Sequence, residues 1–180
     1  WLEIPNAALF GYLYGQYGAG AELGVIASYC CLFIVIMIID LERGLIPNRI
    51  VYPAMIAALL VSVFSVFLPG LAIVPGIKYA AIGGGIGFGI ALLVAVLSRG
   101  GMGFGDVKMA ALMGLVIGYP MIFFTLILSA IIGGVVALVL LITKKKKRRE
   151  GIPFGPILSI ATIVTLLWGS SILNWYLSLF

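Results

Sequence analysis

Long apolar runs, each cut off by glycine or proline, dominate this sequence and leave few folds open to it. A helix crosses the roughly 30 Å hydrocarbon of a bilayer with about 20 apolar residues. Runs suited to that task lie at 21–40, 49–68, 76–98, 120–142 and 154–177, with shorter ones at 4–18, which holds Asn6 and Gln16, and at 106–118. Breakers stand between them: Gly18 and Gly20, Pro47, Pro69 and Pro75, the glycine-rich stretch from Gly100 to Gly105, Pro120, and Pro153 with Pro156. The chain is 63% hydrophobic and 9% charged, against about 45–50% and 25% in soluble domains. A soluble core cannot hide that much apolar surface, so the solvent is lipid. The expected fold is an all-α integral membrane protein. About seven transmembrane or membrane-embedded helices form one bundle, a single domain over residues 1–180.

The run at 106–118 is the shortest, reaching only about 20 Å. Charge decides how it is threaded. With every run crossing and the N-terminus inside, Arg43, Arg49, Arg99, Lys108 and the run Lys144 to Arg149 share one side. Only Lys78 falls on the other, so ten of eleven basic residues obey the positive-inside rule. A helix that turned back at 106–118 would carry the basic run outside. The crossing arrangement is therefore expected. Lys144 to Arg149 then forms a cytoplasmic loop that anchors the topology and contacts anionic lipid. A loop this short is not expected to bind nucleic acid.

The residue inventory excludes much chemistry. There is no histidine, which removes a Ser-His-Asp triad, a Cys-His dyad and most zinc sites. Cys30 and Cys31 are adjacent within an apolar run and read as packing residues. No metal or cofactor is expected. The cluster Gly83-Gly84-Gly85, with Gly87 and Gly89, lies inside an apolar run with no strand before it. It reads as close helix packing, not as a phosphate loop.

Six acidic residues remain: Glu3, Glu22, Asp40, Glu42, Asp106 and Glu150. Only two are aspartates. Asp40 closes an apolar run, and Asp106 opens a helix after Gly103-Phe104-Gly105. Both fall on the cytoplasmic side in the expected topology. Taken singly, Asp106 reads as a helix N-cap and Asp40 as the point where a span leaves the membrane. Together they form the best catalytic equipment in the chain, because ionisable groups at membrane depth are costly. Gly103 and Gly105 remove side chains beside Asp106, so a substrate backbone can approach closely. Two neighbouring carboxyls share one proton, one acting as base on water while the other polarises a carbonyl. Helix ends suggest Asp106 as the base, at an N-terminus, and Asp40 as the proton holder, at a C-terminus. Glu42 and Lys108 are candidates for substrate contact or for support of the dyad.

These residues resemble a known family. Asp40-Leu41-Glu42-Arg43-Gly44-Leu45-Ile46-Pro47-Asn48 resembles the first aspartate motif of type IV prepilin peptidases. Gly101-Met102-Gly103-Phe104-Gly105-Asp106-Val107-Lys108 resembles their second, with its Gly-x-Gly-Asp core, and Ile152-Pro153-Phe154-Gly155-Pro156 resembles the segment before their last helix. The resemblance implies a multi-pass aspartic endopeptidase of the bacterial inner membrane, with Asp40 and Asp106 as its catalytic pair. It implies that the enzyme cuts the basic leader from prepilins or pseudopilins at the cytoplasmic face, for type IV pili, type II secretion or competence pili. Many bacterial members also carry an N-terminal domain with paired C-x-x-C motifs that methylates the new N-terminus. This sequence has no such motif and starts near where that domain ends, so methylation by this chain is not expected.

Two rival readings stay open. A preflagellin or presenilin-like Gly-x-Gly-Asp protease would share the dyad and differ in substrate. The Pro-Phe-Gly-Pro segment and the short loop after Asp40 favour the prepilin type. A small proton- or cation-coupled transporter would use the aspartates as an ion site. No repeat relates residues 1–98 to 99–180 in support of it.

Overall fold

The computed structural model describes residues 3–65, 67, 74–98, 102–143 and 154–178. Arg99, the basic run Lys144 to Arg149 and the residues Ile152-Pro153 lie outside them. Seven α-helices account for the described residues: α1 (Glu3–Tyr17), α2 (Ala21–Arg43), α3 (Asn48–Phe64), α4 (Ile77–Leu97), α5 (Phe104–Ile117), α6 (Met121–Ile142) and α7 (Gly155–Leu177). The all-α membrane fold expected from the apolar runs is what forms. Of these helices, α2, α4 and α6 are long and apolar enough to cross a bilayer by length and composition.

Three boundaries differ from the sequence reading by two residues or more, one of them the start of α5, which begins at Phe104 and makes Asp106 its third residue rather than its first. α2 does not stop at Asp40 but runs on to Arg43. Its stop signal is Gly44, whose φ of 63° is the left-handed region glycine enters freely. The Gly44 amide donates to the Asp40 carbonyl at 2.8 Å, closing the last turn. α3 ends at Phe64, not 68.

Polarity is arranged for lipid. On α6, Ile127, Ile131, Val135, Leu138 and Ile142 are exposed along one face at steps of three or four residues. Hydroxyl residues point inward instead: Thr125, Ser129, Thr162 and Thr165 are buried. Each of these four hydroxyls donates to a carbonyl of its own helix. Such a surface suits hydrocarbon, where every polar group must find an internal partner.

α5 occupies the middle of the bundle. Val107 and every residue from Met109 to Val116 are buried, and α3, α4, α6 and α7 all pack against it. Its contact with α4 is the closest. A Cβ added to Gly83 would collide with the Gly114 carbonyl oxygen, and one added to Gly87 with that of Ala110. Gly85 and Gly89, on the other face of α4, have open space around them. The glycine cluster is thus a backbone-to-backbone seam. The pairing of 83 with 114 and 87 with 110 makes α4 and α5 antiparallel. At the far end, the Tyr119 amide donates to the Tyr79 carbonyl at 3.0 Å. α5 therefore runs alongside α4 along the whole seam, from the Gly87–Ala110 approach to the Tyr79–Tyr119 hydrogen bond. Being sheathed by other helices, it needs no lipid-matching length.

α1 packs mainly on α2. Leu13, Ile26, Ala27, Cys30 and Leu167 form a small buried cluster there, and Tyr12 stacks on Trp168 with centroids 5.4 Å apart. Cys30 is a packing residue, as its apolar setting suggests.

Candidate active site

Four helix ends meet at one end of the bundle: the C-terminus of α2 and the N-termini of α3, α5 and α7. Alternating helix direction brings them together, and each contributes one part of the site.

Asp40 stands in the last turn of α2 and is only 4% exposed. That burial departs from a residue merely marking a membrane exit. A buried carboxyl is costly without a hydrogen bond, and Asp40 has one. Its Oδ2 accepts the Gly155 amide at 3.1 Å. Asp106 is half-buried in the first turn of α5. Its Oδ2 accepts the Gly103 amide at 3.1 Å, while the Asp106 amide donates to the Gly103 carbonyl, also at 3.1 Å. Asp106 thus reaches back to its own N-cap, as the third residue of a capping box does. The reciprocal half is missing because Gly103 has no side chain. The two carboxyls lie near enough for their charges to interact.

The expected contrast between the aspartates rests on their own helices alone. The α2 C-terminus does disfavour an anion at Asp40. The N-terminus of α7 faces the same carboxyl and opposes that effect, so Asp40 and Asp106 each receive a backbone amide from a helix start. The basis for calling Asp40 the proton holder is thereby lost.

Gly105 has a packing reason. A Cβ there would come within 3.1 Å of the Ile46 Cβ. The turn that follows Asp40 therefore rests on the backbone just before Asp106, which ties the two motifs together. Gly103 is exposed, and a Cβ there would meet the Asp106 carboxyl at 3.4 Å and the Gly105 amide nitrogen at 4.0 Å.

Lys108 does not point at the carboxyls. Its Nζ donates to Asn48 Oδ1 at 3.0 Å and lies over the rings of Tyr52 and Phe104, 5.1 and 5.2 Å from their centroids. It fastens α5 to the start of α3. Glu42 is exposed two residues beyond Asp40, on a different face of the last turn of α2. Gly155 is a site residue whose part the sequence does not reveal, although it lies in the Pro-Phe-Gly-Pro segment. Among the described residues no three His, Cys, Asp or Glu side chains gather as metal ligands.

Comparison with known proteins identifies the family of the chain. The model of the type IV leader peptidase family matches residues 27–138, a stretch holding both aspartates. The prepilin leader peptidase/N-methyltransferase of Bacillus subtilis (strain 168) is 29% identical over 180 residues, 98% of this chain and 68% of that protein. The proteins of the same name from Pseudomonas putida and Stutzerimonas stutzeri are 31% and 30% identical, over 95% and 98% of this chain. The chain spans 59% and 60% of their lengths. No solved structure matches. With well over half of its residues covered by the family's model, the chain belongs to the type IV leader peptidase family.

Proposed function

We propose that the chain is an intramembrane aspartic endopeptidase that removes the basic leader of prepilins or pseudopilins at the cytoplasmic face of the bacterial inner membrane. The observation that carries this reading is the meeting of Asp40 and Asp106 at one end of the bundle, each with one carboxyl oxygen held by a backbone amide. Among the described residues no hydrogen bond reaches the other oxygen of either carboxyl, which leaves it for water or substrate.

The chemistry follows from two close carboxyls. Ionising both is unfavourable, so the pair holds one proton between them. The ionised member takes a proton from water as that water attacks the scissile carbonyl. The protonated member donates to the carbonyl oxygen. Collapse of the tetrahedral adduct breaks the C–N bond and the amine leaves protonated. Nothing else is consumed.

The substrate helix reaches the site from lipid. Leu41, Leu45 and Phe104 are all more than half exposed around the aspartates, giving an apolar rim for a membrane helix. The basic leader then lies on the cytoplasmic side, where Glu42 supplies local negative charge. The positive-inside count supports a cytoplasmic location for that end of the bundle.

The test is reconstitution in anionic liposomes with a membrane helix carrying a short basic leader. Release of the leader at the apolar border is the expected result. Proton uptake without cleavage would favour the transporter reading instead.

A further inference from the structure

We propose that Gly155 is a positioning residue for Asp40: its backbone amide orients the carboxyl, and no side chain can stand in its place. The proposal rests on the reading of Asp40 as one of the two catalytic carboxyls.

The start of α7 leaves this amide free for the task. The Phe154 carbonyl accepts the Leu158 amide at 3.0 Å, so Phe154 is the N-cap and Gly155 the first helical residue. The first amides of a helix have no partner within it. Pro156 has no amide to offer. The amide of Gly155 goes to Asp40 Oδ2, 115 residues away and buried. A helix is ordinarily capped by a side chain from its own entry segment. Here a carboxyl at the end of α2 does it, so the cap of α7 and the tether of Asp40 are one bond.

Space fixes the residue type. A Cβ at position 155 would collide with Asp40 Oδ2 and lie 2.8 Å from its Cγ and 3.1 Å from its Cβ. The obstacle is the carboxyl itself, on a short side chain rooted in a helix. Even alanine must push it off the amide. α7 cannot easily retreat, because Phe154 is wedged on α6. A Cβ at Gly133 would stand 3.3 Å from the Phe154 ring.

The test compares four proteins in detergent: the parent, Gly155→Ala, Asp40→Ala and the double variant. Gly134→Ala, at a position with open space around it, serves as control. A misplaced catalytic group slows the chemical step without weakening binding. Gly155→Ala is therefore expected to lower kcat by about 100-fold while KM stays within about threefold. Its melting temperature is expected to fall, and to fall much less when Asp40 is already alanine. If Gly155→Ala does not fold at all, adding Asp40→Ala is expected to restore folding.

Parent-like kcat in Gly155→Ala, or an equal loss of stability with and without Asp40, would overturn the proposal. The stability comparison needs no cleavage. A failure of the peptidase reading, seen as cleavage by Asp40→Ala, is thus told apart from a failure of the positioning role.

Discussion

The Lys108 ammonium donates to the Asn48 side-chain carbonyl at 3.0 Å, joining the N-terminal parts of α5 and α3. With Tyr52 and Phe104 flanking the cation, the contact fixes α5 beside the turn that follows Asp40. Lys108→Ala is expected to cost about 1 kcal/mol, from one hydrogen bond and weak cation–π contacts. Asn48→Ala is expected to cost less, and the double variant less than the sum. Thermal unfolding in detergent of the three variants checks this. Full additivity would show that the two side chains do not act together.

The seam between α4 and α5 predicts a sharp contrast among glycines. Gly114→Ala would drive a methyl group into the backbone of Gly83 and Gly84, and is expected to cost about 3 kcal/mol or more. Gly85→Ala and Gly89→Ala, facing open space, are expected to be neutral or slightly stabilising, because alanine favours helix over glycine by about 1 kcal/mol. Melting temperatures across the set decide it.

Gly105→Ala tests the link between the two aspartate motifs. The added methyl must displace Ile46 by a few tenths of an ångström. Stability is expected to drop by only about 1 kcal/mol, while cleavage drops by about tenfold or more through the shifted loop. Equal, small effects on both would separate the loop from catalysis.

Ser62 and Ser159 are buried, and their hydroxyls have no hydrogen-bond partner among the described residues. Replacing either by alanine removes an unsatisfied group, and is expected to raise stability by about 1 kcal/mol. A loss of stability in Ser159→Ala would reveal a partner for that hydroxyl.

Much of this fold is written in the sequence, for a physical reason. Lipid forces each apolar run into a helix, so runs bounded by Gly18, Pro47 or Pro120 mark the helices directly. The boundaries that escaped depend on finer signals. Hydropathy ends α2 at Asp40, whereas the backbone carries on for one more turn to reach the left-handed Gly44. The aspartates stand out as candidates because ionisable residues are scarce in so apolar a chain. The contact between Gly155 and Asp40 does not stand out. It depends on how α7 docks against α2, and neither periodicity nor local motif encodes that. For the same reason the helix-dipole argument gave an incomplete account of Asp40, since the deciding dipole belongs to a distant helix. Lys108 likewise showed its charge in the sequence but not its partner on α3.

The central claim is that Asp40 and Asp106 act as one catalytic pair. The most direct measurement is cleavage of a prepilin-type membrane helix in liposomes by the parent, Asp40→Asn and Asp106→Asn, with folding checked by thermal unfolding. Each variant is expected to lose at least about 1,000-fold in kcat, and the double variant to lose little more, as for residues that act as a unit. Cleavage at the parent rate by either folded single variant would contradict the claim.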